Sequence, residues 1–437
     1  MHIHFIGIGG IGVSALARYY LAKEALVSGS DLTPSEITSE LARLGARIVV
    51  GSHSPFNLPA ETETVIYTAA TPKSNPELKE AKRRKLKVAS YAEAIGELTR
   101  QFKAVTVSGA HGKSTTAALT ALVMEEGCLD PTVIIGTKVR EFGDSNFRPG
   151  RGAHLVLEAD EWNKSFLHYS PQIAVVTNID AEHLDTYKTV EAVEDVFREY
   201  MAKVPREGAI IANADDERLA RVAKGFRKKV VWYSQKDQAA ETLRRILRIP
   251  GSHNVSNALA ALTVGRTLGI AEPDILRAIS CFRGSWRRFE FRGFLKGAQI
   301  ISDYGHHPAE ITATLAAARE RFPMRRVWCV YQPHQYQRLK YLWKDFVSAF
   351  DSADRVCLLP VYDVAGRETK SAKQAVNSIK LAHALQERGK NAWHVHSFDQ
   401  AKQFLHSEVH RGDIILMMGA GDIYNLTNDL ARDTVAV

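Results

Sequence analysis

Along the chain, short apolar runs ending on glycine or polar residues alternate with longer segments whose apolar positions recur at helical spacing. His2 to Ile6 reads as a strand, the glycine-rich segment after it as a turn, and Gly12 to Glu24 as a helix. Ala25 to Ser28 reads as a second strand ending at "GSD", Arg47 to Val50 and Thr64 to Tyr67 as two more, and "YAEAIGELTRQF" as an amphipathic helix. A new unit opens at Lys103 with the strand "AVTVSG", a second glycine-rich loop and a helix from Ser114 to Glu126. Within it, "HLVLEAD" and "IAVVTNI" are apolar runs that end in polar residues, and "GSHNVSNALAALTVGRTLGI" is a strongly periodic helix. The strands "AQIISDY", "RVWCVYQP", "RVCLLPVY" and "DIILMMGAG", separated by helical segments, make a third unit that opens near Phe291. Strand–helix alternation of this kind predicts parallel sheets and an α/β fold, with boundaries near residues 100 and 290.

Composition narrows the class. The 437 residues exceed one ordinary core and suggest two or three domains. Apolar residues at 45% and charged residues at 24% are those of a soluble globular protein, and no apolar run is long enough to span a bilayer. The glycine-interrupted start lacks a basic lead, which predicts no signal peptide, no membrane insertion and a cytoplasmic protein. Cys128, Cys281, Cys329 and Cys357 are scattered, so buried free thiols are expected rather than a zinc site or a disulfide framework. The net charge of +8 suits polyanionic ligands such as nucleotides and diphosphates. "KRRKLK" at Lys82 to Lys87 is expected on a solvated helix face, and no aromatic-interleaved basic stretch points to nucleic acid.

Two glycine-rich loops carry the candidate chemistry. Gly7-x-Gly9-x-x-Gly12 between a strand and a helix is the spacing of a dinucleotide-binding turn, where backbone N–H groups and a helix start face a diphosphate. With Asp31 near the distance of a ribose-binding acid, that half alone reads as a nicotinamide-dependent dehydrogenase. "SGAHGKSTT" has no use in hydride transfer. Its order of strand, glycine loop, Lys-Ser and helix is that of a nucleoside-triphosphate loop. There Lys113 would reach the β- and γ-phosphates, and a hydroxyl of Ser114 or Thr115 would bind Mg²⁺. The loop is shorter than the general pattern, with Val107 where the first glycine would stand and Gly109 the nearest glycine. "LEADE" (Glu158, Asp160, Glu161) and "TNIDAEHLD" (Asp180, Glu182, His183, Asp185) close two apolar runs, at strand ends where ligands of open α/β sheets sit. Hard oxygen donors with a histidine there suit the metal shell of an ATP phosphate.

In order along the chain, "HFIGIGGIGVSALA" with "VSGSD", "SGAHGKSTT", "EADE", "TNIDAEHLDTY", "GSHNVSNALAA", "WRRFEF", "SDYGHHPAEI", "YQPHQY" and "MGAGDI" carry a resemblance to the Mur ligases. These are ATP-dependent amide-bond-forming enzymes of peptidoglycan synthesis, and the text is most like their alanine-adding branch. The resemblance implies a Rossmann-like N-terminal domain for the UDP-sugar (1–100), a central P-loop ATPase with a mostly parallel sheet (101–290) and a Rossmann-like C-terminal domain for the amino acid (291–437). It implies UDP-N-acetylmuramate, L-alanine and ATP as substrates, with Mg²⁺. Gly7, Gly9, Gly10, Gly12, Ser30 and Asp31 would hold the UDP-sugar. Gly109, His111, Gly112, Lys113, Ser114 and Thr115 would hold ATP, with Asn254 and Asn257 toward adenine and Arg288 and Asp303 clamping phosphates and ribose. Ser114 or Thr115, Glu158 and His183 would bind the metal, and Lys113, Glu158, His183 and Arg288 would carry the catalysis. His306, His307, His334 and Arg338 fall on the amino-acid side, where the three histidines are candidate proton acceptors by type.

Four places depart from the family text. A lysine that many members carry about fifteen residues beyond the "EHLD" histidine has no counterpart near that place in "DVFREYMAK", where Phe197 and Arg198 stand, as in the alanine-adding branch. Pro333-His334-Gln335 replaces the common Pro-His-Arg, which leaves Arg338 for an anionic contact. The stretch at 234–249 is short, and "YDVAGRE" differs in detail from the usual loop. The murein-peptide branch, which adds a recycled tripeptide to the same UDP-sugar, is the nearest rival. A dehydrogenase leaves the second loop unexplained. A non-catalytic nucleotide-binding homologue would not need Lys113, Glu158, His183, Asn257, Arg288 and Asp303 together.

Overall fold

The computed structural model describes residues 1–180, 184–226, 229–363 and 370–432. Its strands form three sheets, in the order of three α/β domains along the chain. β1 (His2–Ile6), β2 (Leu26–Asp31), β3 (Arg47–Val50), β4 (Thr64–Tyr67) and β5 (Lys87–Ser90) are all parallel in the order β3-β2-β1-β4-β5. The second sheet contains β6 (Lys103–Ser108), β7 (Thr132–Val139), β8 (Ser145–Arg148), β9 (His154–Glu158), β10 (Ile173–Val176), β11 (Ala209–Asn213) and β12 (Val230–Tyr233). Its order is β12-β11-β10-β6-β9-β7-β8, parallel except for the β7–β8 pair. The third contains β13 (Glu290–Leu295), β14 (Ala298–Asp303), β15 (Val327–Tyr331), β16 (Arg355–Leu358), β17 (Asn391–His394) and β18 (Ile414–Met418). Here the order is β13-β14-β18-β15-β16-β17, with only β13–β14 antiparallel. Contacts divide the chain into two compact units. The first is Met1–Leu247 with Val255–Arg283 and carries the first two sheets; the second is Arg248–Asn254 with the chain from Gly284 and carries the third.

Side-chain alternation explains both cores. Every residue of β1 is buried, as in a central parallel strand covered on both faces. Ile3 and Phe5 enter one apolar cluster with Leu16, Ile95, Phe166 and Phe197 that spans the first two sheets, while Ile6, Leu58, Val65, Leu78 and Ala81 form a separate, smaller one. In the third sheet Val327, Cys329 and Tyr331 pack on one face, while Trp328 and Val330 pack on the other.

Several elements were not legible in the sequence pattern, among them β5, the β7–β8 hairpin and β17. "KRRKLK" does not lie on one helix face. The helix Pro76–Arg83 ends inside it, Lys85 takes φ 57°, and Lys87 already belongs to β5. The cysteine expectation also needs correction. Cys329 and Cys357 are buried in strands, but Cys128, in a left-handed turn after its helix, and Cys281, the last residue of the helix Glu272–Cys281, are exposed. Among the described residues no helix is long and apolar enough to cross a membrane.

Candidate active site

β1 hands the chain to the first glycine turn. The Gly7 and Ile8 N–H groups donate to Ser30 O at 2.8 and 3.1 Å, and Gly9 N–H donates to Asp31 Oδ2 at 2.8 Å. The helix Ile11–Ala22 starts on Gly10 with no side-chain cap and no acidic residue in its first turn. Such a start leaves N–H groups and the positive end of the helix dipole to an anion. Asn146 of β8 donates to Ile11 O at 2.6 Å and to Ser14 Oγ at 3.0 Å, so the second sheet's hairpin grips that first turn. Lys138 of β7 adds an ion pair to Glu40 at 2.8 Å.

Ser30, assigned to the UDP-sugar from the sequence, is buried, and its hydroxyl donates to Glu77 at 2.7 Å. Glu77 is the hub of a network that sequence reading missed. It also meets His4 Nε2 at 2.9 Å and His53 Nδ1 at 2.9 Å, and accepts from Asn57 Nδ2 at 2.8 Å. Burial pushes the Glu77 carboxyl up, but these hydrogen bonds outweigh it and bring its pKa down to about 2. Ser30 therefore supports the turn from beneath, and Asp31 is engaged by the turn itself.

The second glycine loop follows β6. Asn178 brackets His111, accepting from its N–H at 2.9 Å and donating to its carbonyl at 3.0 Å, while Thr177 Oγ1 donates to the same carbonyl at 2.6 Å. Lys113 opens the helix Lys113–Glu126 and folds back over the loop, donating to Gly109 O at 2.6 Å and to the Glu161 carboxylate at 3.0 Å. Glu161 is almost fully buried, so the lysine's charge is held at the loop mouth by an oxyanion. In the sequence "LEADE" is an acidic cluster, and nothing in it singles out Glu161. Ser114 is partly exposed, whereas Thr115 is buried. Thr116 Oγ1 donates to Asn257 Oδ1 at 3.2 Å, which seats Asn257 against the loop.

Gly109 is the loop's fixed point. Its φ is +135°, and a Cβ there would lie 2.1 Å from Thr177 Oγ1. Gly109→Ala is expected to displace Thr177 and destabilise the protein by about 1–3 kcal/mol. Thermal unfolding reads the first effect. A raised KM for ATP, with KM for the other substrates unchanged, reads the local damage.

Glu158 ends β9 and lies against β7, where a Cβ on Gly136 would be 2.8 Å from its Oε2. Asn163 and Lys164, just past Glu161, both take left-handed φ values, 52° and 58°. Tyr187 ties this turn down, donating to Glu161 O and accepting from Lys164 N–H at 3.1 Å. Burial, then the Glu158 and Asp160 carboxylates, pushes the Tyr91 phenol up. His183 and Glu182 lie outside the described residues.

In the second unit, the C-terminal ends of β14 and β15 gather the remaining candidates. Asp303 accepts from Phe289 N–H at 2.8 Å and from Gly305 N–H at 2.7 Å, so both oxygens are used by backbone, and burial holds its carboxyl above the usual range. Arg288 donates to Glu310 at 3.2 Å. His306 Nδ1 is 3.2 Å from Tyr304 O, and its ring is 5.7 Å from that of His334. His334 stacks on Tyr362 at 5.4 Å, with Arg338 Nη1 3.4 Å from its Nδ1. His307 is buried and caps the helix Pro308–Arg321, its Nδ1 accepting from Ala309 N–H at 3.3 Å. Gln335 adopts φ 75° at the start of the next helix. Asn254 donates to Pro250 O at 2.7 Å, and burial lowers the neighbouring His253 to about 4. Arg287, which the sequence reading passed over, is buried between Tyr304 and Tyr424, its guanidinium carbon 5.0 and 5.1 Å from their ring centres, and donates to Gly419 O.

Comparison with known proteins bears on this arrangement. Three family descriptions match in order: "Mur ligase family, catalytic domain" over residues 2–103, "Mur ligase middle domain" over 107–247 and "Mur ligase, glutamate ligase domain" over 287–421. The UDP-N-acetylmuramate–L-alanine ligase of Alkaliphilus metalliredigens is 37% identical, with 99% of this chain and 97% of that protein covered. The crystal structure of UDP-N-acetylmuramate-alanine ligase from Thermotoga maritima superposes with a TM-score of 0.83 at 27% identity, covering 100% of this chain and 99% of that one. A murein peptide ligase from Psychrobacter arcticus shares the fold at a TM-score of 0.71 and 20% identity, covering 100% and 99%.

Proposed function

Because this chain belongs to the Mur ligase family, we propose that it joins L-alanine to the lactyl carboxylate of UDP-N-acetylmuramate, releasing ADP and phosphate. It is an ATP-dependent amide ligase of peptidoglycan synthesis. The observation that carries the site reading is Lys113, folded over the glycine loop and matched to the buried Glu161 at 3.0 Å. A cation poised against a carboxylate at a helix start is set to exchange that partner for a phosphate.

The chemistry follows from charge. A carboxylate oxygen attacks the γ-phosphorus, the bond to the β-phosphate oxygen breaks, and ADP leaves. Two anions must meet, so Lys113 and the helix start lower the barrier by neutralising the phosphates. Arg288 is assigned to the same charge by its place in "WRRFEF". Ser114 and Glu158 would hold Mg²⁺, Thr115 being buried, and their hydroxyl and carboxylate oxygens suit a hard cation; His183 joins them by its motif alone. When bound, the ion adds neutralising charge at the phosphates. The amine of L-alanine then attacks the acyl carbon, the bond to the phosphate oxygen breaks, and one proton leaves the nitrogen. His306 and His334 are the candidate acceptors by type, since His307 already uses Nδ1 in its helix cap. The same proposal includes a cytoplasmic site of reaction, where nucleotide substrates of this kind are supplied. Heavy oxygen placed in the lactyl carboxylate is expected to appear in the released phosphate. Label retained wholly in the amide product would exclude an acyl phosphate.

A further inference from the structure

Tyr91 occupies a position that none of the assigned roles uses. It is the first residue of the helix Tyr91–Thr99, directly after β5, and so stands on the same edge of the first sheet as the Gly7–Gly12 turn. Its ring lies on the start of the helix Ile11–Ala22: a Cβ on Gly12 would be 3.0 Å from the Tyr91 hydroxyl and 3.1 Å from Cζ. The same tyrosine-led helix packs against the turn that follows Glu161, where a Cβ on Gly96 would lie 2.5 Å from His168 O. Tyr91 thus bridges the diphosphate-facing turn and the end of β9, with Glu158 and Asp160 as its charged neighbours. Its side chain is partly exposed, and among the described residues its hydroxyl has no hydrogen-bond partner.

We propose that the Tyr91 hydroxyl is a substrate-binding donor, hydrogen-bonded to an anionic oxygen of the sugar nucleotide between the Gly7–Gly12 turn and Glu158. This rests on the function proposed above: with the diphosphate at the Gly7–Gly12 turn, the lactyl carboxylate has to reach the phosphate-transfer site where Glu158 would help to hold Mg²⁺, and Tyr91 stands between the two. A phenol is protonated at neutral pH, so toward an anionic oxygen it acts as a hydrogen-bond donor. Glycine at position 12 is what allows the ring so close to the helix start.

The test is Tyr91→Phe, which removes one oxygen and keeps the ring. Its unliganded Tm should match the wild type, and its KM for ATP should not move. Its affinity for UDP-N-acetylmuramate by calorimetry should fall roughly tenfold or more, as for a hydrogen bond to a charged group. UDP-N-acetylglucosamine, which lacks the lactyl carboxylate, identifies the oxygen. Weakening of UDP-N-acetylmuramate alone assigns the bond to the carboxylate, and weakening of both assigns it to the diphosphate. Unchanged binding of both by Tyr91→Phe overturns the role of Tyr91 and leaves the ligase reading intact. A wild-type protein that binds neither sugar nucleotide overturns the ligase reading itself, and the role of Tyr91 with it.

Discussion

Lys113→Ala should reduce ATP turnover by at least about a thousandfold, the scale on which removal of a phosphate-neutralising cation acts in phosphoryl transfer. The structure gives the reason in local terms. The ammonium is held by Gly109 O at 2.6 Å and by Glu161 at 3.0 Å, so it stands over the loop before any phosphate arrives. Removing it leaves the buried Glu161 carboxylate without that cation at the loop mouth, which repels a triphosphate. Lys113→Arg should recover little, because the fork of a guanidinium does not fit a point-charge position under a backbone carbonyl. ADP release in the presence of UDP-N-acetylmuramate and L-alanine measures the loss. Substantial turnover in Lys113→Ala would mean that the shortened loop is not the phosphate site.

The second large effect is on stability. Glu77 is completely buried and engages four side chains, so Glu77→Ala should destabilise the first unit by about 3–5 kcal/mol, the cost of leaving buried polar partners without their acceptor. The pH dependence has a definite sign. The folded pKa, about 2, lies below the unfolded value near 4.5, so ionised Glu77 stabilises the fold above pH 4.5. That contribution, about 3 kcal/mol from the shift, disappears as pH falls from 4.5 toward 2. Thermal unfolding of the wild type and Glu77→Gln should therefore differ most near neutrality and converge in acid. A difference that stays constant across that range would mean that ionisation of Glu77 is not what stabilises the network.

The parts of the site that could be read from sequence are those whose chemistry is local. A buried apolar run followed by glycines fixes β1 and its turn, and the same grammar with Gly-Lys-Ser fixes β6 and its loop, because backbone geometry and phosphate recognition both act over a few residues. The partners were hidden because they come from elsewhere in the fold. "NPELKEA" reads as an exposed helix, yet Glu77 within it turns inward to meet His4 on β1 and His53 beyond β3. Glu161 is one of three acids in "LEADE", and only the packing of Tyr187 and Lys113 around it distinguishes it. Tyr91 opens an amphipathic segment and looks like ordinary core until its contact with Gly12 is seen. Asn146 and Lys138, which tie the second sheet to the first helix, lie in a hairpin that carried no alternation strong enough to predict it. Asp303 was legible as a motif residue but not in its local contacts, since each of its oxygens accepts from a backbone N–H.

The most direct measurement of the proposed activity is ADP release by the full-length protein with UDP-N-acetylmuramate and ATP, offering L-alanine, L-serine, glycine and the murein tripeptide separately. Turnover with L-alanine is expected well above that with the other three. Turnover confined to the tripeptide, or no turnover with any acceptor, would contradict the proposed activity.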